Sequence, residues 1–194
     1  SIGDFENAEK NITSALESQE KQFGRNHIEV AKSLAQLGMI KFYKGDKPKE
    51  VEDILMQAQE IMGTKLGKEN PQYADILKSV ANVKISEKKF TDAISALTQA
   101  ESIWLKKTGT KNNINLAAIY TLTGDLYYQM KNYQKAEDFY NQASDIYIKY
   151  FKNKNHPEYV KILSKKAKVY YMEKNYKDAK SNIEQALNNY DNFI

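Results

Sequence analysis

Small side chains recur along this chain at a fixed interval of 42 to 43 residues. A column of Ala or Val is followed seven residues later by a column of Ala, which is two turns along one face of a helix. The first column is Ala8, Val51, Ala93, Ala136 and Ala179, and the second is Ala15, Ala58, Ala100, Ala143 and Ala186. Because two helices need small side chains where they approach closely, these columns mark one helix of a repeated helical hairpin.

A third column marks the other helix of each hairpin. It consists of Gly38, Ala81, Gly124 and Ala167, which are spaced by 43 residues. In the turn that follows, an aromatic residue lies three positions before the Ala of the second helix, and we expect it to wedge the hairpin. These aromatics are Phe90, Tyr133 and Tyr176. In the first full repeat Pro48 is placed to open the second helix, where its missing N–H costs nothing.

Residues 121–143 resemble the signature of the tetratricopeptide repeat family. The matching residues are Leu122, Gly124, Tyr127, Ala136, Tyr140 and Ala143. Residues 164–186 repeat this pattern, whereas residues 78–100 and 35–58 are looser copies with Lys84 and Lys41 in place of the tyrosine. The links between hairpins, such as LGKENPQYA and FKNKNHPEYV, are similar to those of the kinesin-light-chain type of repeat. In such links Gly or Asn ends one helix and Pro begins the next.

The resemblance implies an all-α fold, an α-α superhelix or solenoid of antiparallel helix pairs. The chain opens on a second helix at about residues 3–22 and closes on another at about 176–191, so we expect one half repeat and four full ones. The expected boundaries within a single solenoid of residues 1–194 are about 1–27 for the half repeat, then 28–71, 72–114, 115–157 and 158–194.

Both ends of the chain lack a polar capping helix, which solenoids normally have. We therefore expect a fragment of a longer protein. The apolar residues Leu187, Tyr190, Phe193 and Ile194 would pack on a following helix, or on a second copy of the chain in end-to-end self-association.

Composition argues against several classes of function. The chain has no Cys, and no second ligand lies at helical spacing from His27 or His156. We therefore expect no disulfide, no metal site and no cofactor, and a helix-capping or turn role for both histidines. No apolar run reaches the length of about 18 residues that a membrane-spanning helix needs. The N-terminal residues assign no compartment, and both cytoplasm and periplasm fit.

The sequence also argues against catalysis and nucleic-acid binding. Lys outnumbers Arg by 28 to 1, although Arg is the residue whose planar guanidinium group usually binds phosphates and guanine edges. A glycine-rich phosphate loop, a serine elbow and paired carboxylates at a cleft are absent, so we do not expect an enzyme.

In this family the first helix of each repeat lines a concave surface, and the resemblance implies which positions face a ligand. They are Lys32, Ala35, Met39 and Phe42; Asp75, Lys78, Asn82 and Ile85; Ala118, Thr121, Asp125 and Tyr128; and Lys161, Ser164, Lys168 and Tyr171. The last residues of these four sets form an apolar column, which either contacts a peptide or packs between repeats.

Charged positions in the same set suggest two further interpretations. Lys161, Lys165 and Lys168 would favour an acidic segment of a partner, although a solvated lysine face is the commoner arrangement. Lys78 and Asn82 could bind a carboxylate together. Such a site also needs an Asn in the first helix of the next repeat, and the presence of Leu122 at that position argues against this interpretation.

The expected function is therefore a protein-interaction scaffold that holds a peptide or protein segment in its concave groove. Two alternatives stay open at this point. The chain could be a sensory or regulatory module that controls a linked output domain, or a structural component of a multiprotein envelope or secretion assembly.

Overall fold

A computed structural model describes residues 4–191 of the chain, and most of these residues are helical. In order, the helices are α1 Phe5–Phe23, α2 Ile28–Lys44, α3 Pro48–Leu66, α4 Pro71–Ser86, α5 Phe90–Thr108, α6 Ile114–Gln129, α7 Tyr133–Phe151, α8 Pro157–Met172 and α9 Tyr176–Asp191. The even-numbered helices are the first helices of the repeats, and the odd-numbered ones are the second helices. No helix in this range is long and apolar enough to cross a membrane.

The chain divides into two compact units. Unit 1 is Ser1–Ile103 and unit 2 is Trp104–Ile194, so the division falls within α5. In unit 1, each of the helices α1 to α4 packs on the next, and α2 also contacts α4. In unit 2, the helices α6 to α9 pack in the same consecutive way. The sequence expectation of a single solenoid over residues 1–194 stays a prediction.

The first helices begin at equivalent positions because the same kind of cap precedes each of them. Their N-cap residues are His27, Asn70, Asn113 and His156, which are 43 residues apart. Nδ1 of His27 accepts a hydrogen bond from the backbone N–H of Glu29 at 3.2 Å, and Nδ1 of His156 does the same for Glu158 at 3.3 Å. Each bond satisfies one of the free N–H groups of a helix start. The predicted capping role of the two histidines is confirmed.

Pro48 opens a second helix, as the sequence predicted, and the aromatic residues that the sequence analysis placed in the turns are the first residues of the other second helices. Pro48, Phe90, Tyr133 and Tyr176 are the first residues of α3, α5, α7 and α9. The turn before each of them contains a residue of positive φ, namely Gly45, Lys88, Lys131 and Lys174. A lysine adopts this left-handed backbone at an energetic cost, so three of the four hairpin turns carry local strain.

From α2 onward the columns of small residues lie in the core, as the spacing predicted, whereas Ala8 and Ala15 of α1 are half-buried. Ala58, Ala100 and Ala143 are fully buried, and Ala186 is 6% exposed. In α2, a Cβ built on Gly38 would lie only 2.8 Å from Cδ2 of Leu55 in α3. The helices of this hairpin are therefore as close as a glycine allows.

A polar contact recurs where a second helix meets the first helix of the next repeat. In each case an acidic side chain near the start of the second helix contacts a lysine or a tyrosine near the end of the first helix. The pairs are Glu9 with Lys41, Glu52 with Lys84, and Glu137 with Tyr170. Lys41 and Lys84 are the residues that depart from the tyrosine of the repeat signature. Their ion pairs replace the hydrogen bond that the Tyr170 hydroxyl donates.

Candidate functional site

A cleft of about 510 Å³ lies in unit 1, where α2 and α4 contact each other. Its lining residues are Phe5, Lys32, Ala35, Gln36, Met39, Ile40, Tyr43, Met62, Gln72, Asp75, Ile76 and Ser79. Four of them, Lys32, Ala35, Met39 and Asp75, belong to the predicted ligand-facing set. The cleft is mostly apolar, and its volume is within the range of about 300–1,000 Å³ that is usual for ligand sites.

Charged residues at this cleft already have partners. Lys32 is paired with Glu29 at 2.7 Å, and Asp75 is paired with Lys78 at 2.8 Å. Both pairs lie one turn apart on a single helix, and such partly exposed pairs contribute little to stability. They nevertheless leave the rim nearly neutral, so an apolar ligand fits this cleft better than a strongly charged one.

Asn82 acts on the cleft through an aromatic ring. Its Nδ2 donates a hydrogen bond to the Tyr43 hydroxyl at 3.2 Å, and the Tyr43 ring stacks on Phe5 with 6.5 Å between the ring centres. Sequence reasoning placed Asn82 in contact with the ligand and did not single out Tyr43. Asn82 lies outside the lining of the cleft and is bonded to a ring that lines it, and its contact with a ligand stays a prediction.

Two members of the predicted apolar column belong to the core. Ile85 is only 5% exposed, so at this position packing, the second of the two alternatives for the column, describes the side chain. Phe42 is half-buried and packs against the buried cluster of Val51, Leu55 and Val83. Packing between helices explains the apolar character of both positions, because each is near the end of a first helix that other helices cover.

The other two members of the column, Tyr128 and Tyr171, lie at a second cleft of about 610 Å³ in unit 2. Its other lining residues are Ala167, Lys168, Tyr176, Ala179, Lys180, Ile183 and Glu184. The Tyr128 ring lies 5.7 Å from that of Tyr133, and the Tyr171 ring lies 5.7 Å from that of Tyr176. Tyr171 is 63% exposed, so this aromatic side chain is available to a ligand.

Asp125, which the resemblance places toward a ligand, is instead engaged by neighbouring helices. Its carboxylate accepts a hydrogen bond from the Tyr140 hydroxyl at 2.7 Å and pairs with Nζ of Lys165 at 2.6 and 2.8 Å. Burial, together with this nearby carboxylate, raises the pKa of Tyr140. Asp125 therefore joins α6, α7 and α8, and its role toward a ligand stays a prediction.

The remaining predicted residues of unit 2 differ in their availability. The hydroxyls of Thr121 and Ser164 donate to carbonyls of their own helices at 2.8 and 3.3 Å. Lys161 pairs with Glu158 at 2.6 Å, whereas Lys168 is exposed at the second cleft. Within residues 4–191, no group of three or more His, Asp and Glu side chains is arranged to hold a metal ion.

Comparison with known proteins places this geometry in a known fold. Residues 72–149 match the family model of the tetratricopeptide repeat. No curated protein matches the chain at the level of sequence.

Solved structures match the chain over nearly its whole length. BtubC (BKLC) from P. vanneervenii is 17% identical, with a TM-score of 0.72 over 96% of this chain and 73% of that one. A protein from Podosopora anserina with nearly identical kinesin-light-chain TPR-like repeats is 19% identical, with a TM-score of 0.67 over 96% and 87%. MamA is 17% identical, with a TM-score of 0.59 over 98% and 91%. Residues 72–149 therefore match the tetratricopeptide repeat, and the chain as a whole has the all-α helical repeat fold that these solved structures share.

Proposed function

We propose that this chain is a protein-interaction scaffold that holds an apolar segment of a partner protein in the cleft between α2 and α4. The tetratricopeptide fold is in general a protein–protein interaction module. The observation that carries the proposal is the cleft itself, which places three first-helix residues, Lys32, Ala35 and Met39, on one apolar surface.

The side chains of the cleft define the chemistry of the segment. Met39 and Met62 offer flexible, polarisable surfaces that adapt to apolar groups of different shape. The amides of Gln36 and Gln72 can both donate and accept, which suits the backbone of an extended peptide. A partner segment with one or two large apolar side chains is therefore the expected ligand.

The test is a comparison of two substitutions of the same kind in unit 1. Met39→Glu puts a charge into the cleft, whereas Met56→Glu puts it on a residue of α3 that is 62% exposed and does not line this cleft. Each variant and the unchanged chain are immobilised and used to capture partners from the source organism. The captured protein is then identified, and its dissociation constant is measured with the purified components.

We expect the partner to bind Met39→Glu at least about tenfold more weakly than the unchanged chain, since burying an unpaired charge is costly. Met56→Glu should bind as the unchanged chain does. Circular dichroism of both variants establishes that the helices are retained. Equal binding by a folded Met39→Glu variant would refute the assignment of the cleft.

The aromatic cleft of unit 2 is the second candidate site, because Tyr171 is largely exposed there. An acidic segment would rely on Lys168, since Lys161 is paired with Glu158 and Lys165 with Asp125. The double variant Tyr128→Ala/Tyr171→Ala tests this site. A partner that is lost in the double variant but kept by Met39→Glu would place the interaction in unit 2.

A further inference from the structure

Tyr43 is an exposed side chain that neighbouring groups nevertheless hold in place. It is 59% exposed, yet its ring stacks on that of Phe5 and packs at an angle against that of Phe42, with 5.2 Å between the ring centres. Its hydroxyl accepts a hydrogen bond from Nδ2 of Asn82 at 3.2 Å. This bond links α2 to α4, the two helices that form the unit 1 cleft, and we call the contact between Tyr43 and Asn82 the tyrosine bridge.

The tyrosine bridge lies where the lining of the cleft stops. On α2 the lining runs from Lys32 to Tyr43, and on α4 it runs from Gln72 to Ser79. Asn82 is about one helical turn beyond Ser79, and it is bonded to Tyr43 without being part of the lining. An aromatic side chain that is tied to both helices therefore bounds this end of the cleft.

The opposite end of the cleft, near the starts of α2 and α4, is more open and more polar. Gln72 and Asp75 are both exposed there, and Lys32 is paired with Glu29. Polar groups at this end stay hydrated, whereas the Phe5 ring and the Tyr43 ring at the other end offer apolar surface. A ligand is therefore best placed with its polar part at the helix starts and its apolar part directed toward Tyr43.

The repeat fold does not itself require a tyrosine at this position. The equivalent residues of the three later repeats, at intervals of 43 residues, are Ser86, Gln129 and Met172. None of them has an aromatic ring, although the helix pairs of all four repeats are formed. The ring of Tyr43 is thus a feature of this cleft and not of the repeat.

We propose that the tyrosine bridge closes one end of the unit 1 cleft and so restricts, by length, the apolar segment that the cleft accepts. This inference rests on the function proposed above, because it concerns the same cleft. From Lys32 to Tyr43 the lining extends over about 16 Å of α2, at a rise of about 1.5 Å per residue. An extended segment that fills this length has about five residues. A longer apolar segment turns away at Tyr43, and its excess stays in water.

Because the chain has no Cys, the reach of the cleft can be measured with chains tethered to a single thiol. The thiol of a Gln72→Cys variant, at the open end, is converted to mixed disulfides with alkyl methanethiosulfonates from methyl to hexadecyl. Each carbon that enters the cleft should raise Tm by about 1–3 °C, and carbons beyond the tyrosine bridge should add nothing. Met56→Cys is the matched control, since Met56 is exposed outside this cleft, and no alkyl chain there should raise Tm.

Variants of the bridge in the Gln72→Cys background show whether it sets the limit. Tyr43→Ala removes the ring, so the rise in Tm should continue for about two or more further carbons. Asn82→Ala releases the ring and should extend the limit as well. Asn82→Asp should keep the original limit, because its carboxylate accepts a hydrogen bond from the Tyr43 hydroxyl. A merely structural role of either residue would lower Tm at every chain length and leave the limit in place.

The results distinguish failure of this inference from failure of the proposed function. A limit that Tyr43→Ala does not move, or a rise in Tm without any limit, would overturn the length restriction and leave the apolar cleft standing. If no alkyl chain on Gln72→Cys raises Tm, the cleft does not take up apolar groups. That outcome would refute both the length restriction and the function proposed for unit 1.

Discussion

Gly124 is the residue whose replacement should most directly test how the helices of a hairpin approach each other. A Cβ built at this position would lie 2.5 Å from Cδ1 of Tyr140 and closer still to Cε1. Such contacts are far inside the distance at which carbon atoms attract. The ring of Tyr140 is only 2% exposed, and its hydroxyl donates to Asp125, so it cannot turn away freely. Gly124→Ala should therefore push α6 and α7 apart.

The expected loss of stability follows from two opposing effects. Overpacking of a core costs about 1–3 kcal/mol. Alanine is better than glycine inside a helix by about 1 kcal/mol, which offsets part of that cost. Because the new methyl group would meet the Tyr140 ring far inside van der Waals contact, the overpacking cost should be about 2–3 kcal/mol, at the upper end of that range. The net loss should then be about 1–2 kcal/mol, which in a chain of this size corresponds to a fall in Tm of about 2–8 °C.

Thermal and urea unfolding followed by circular dichroism measures this loss. Gly63→Ala is the matched control, because a Cβ there would lie 3.2 Å from Cε2 of Tyr73, a tight but tolerable contact. It should leave Tm unchanged or raise it slightly. The double variant Gly124→Ala/Tyr140→Leu should recover part of the loss, since the side chain opposite the new methyl group is smaller. A Gly124→Ala protein that unfolds at or above the Tm of the unchanged chain would refute the reasoning.

Three further predictions concern the contacts that define the helix ends and interfaces. Hydrogen bonds from Lys84 and Lys89 lower the pKa of Glu52 from 4.5 to about 2. Because the pKa is depressed in the folded state, the stabilisation from Glu52 is present above pH 4.5 and is lost as the pH falls toward 2. Glu52→Gln should cost about 1 kcal/mol near neutral pH, and urea unfolding at both pH values should show the difference vanish in acid. Lys174 has a φ of 61°, a backbone conformation that glycine adopts more readily than lysine. Lys174→Gly should therefore stabilise the chain by about 0.5–1 kcal/mol, whereas Lys177→Gly inside α9 should destabilise it by a similar amount. Equal effects of the two substitutions on thermal unfolding would contradict this prediction. His156→Ala should cost about 1 kcal/mol by removing the cap of α8, and His156→Asn should retain most of that stability in the same assay.

The starts of several helices could be predicted from the sequence because the interactions that set them are local. A cap such as His156 bonds to a backbone N–H two residues away, and Pro48 acts through its own ring. Interactions of this kind need no knowledge of the rest of the fold. The columns of small residues added which face of each helix is buried, because close helix packing allows little else at those positions.

The partners of individual side chains were decided only by the tertiary structure. Asp125 and Lys165 are 40 positions apart, and no periodicity within one helix relates them. The burial of Ile85 likewise depends on which neighbouring helix covers it. Sequence reasoning placed both Asp125 and Ile85 toward a ligand, because it could assign a helix face but not the side chains that the adjacent helices bring against that face.

The lysines at positions 41 and 84 are a second example of contacts that only the tertiary structure decided. The sequence marked them as departures from a tyrosine signature. In the structure each meets an acidic side chain of the preceding second helix, Glu9 or Glu52. The spacing and signature of the repeat thus indicated the fold. Stacking of one repeat on the next determined which polar residues could take a consensus position, since a half-buried charge needs a partner beside it.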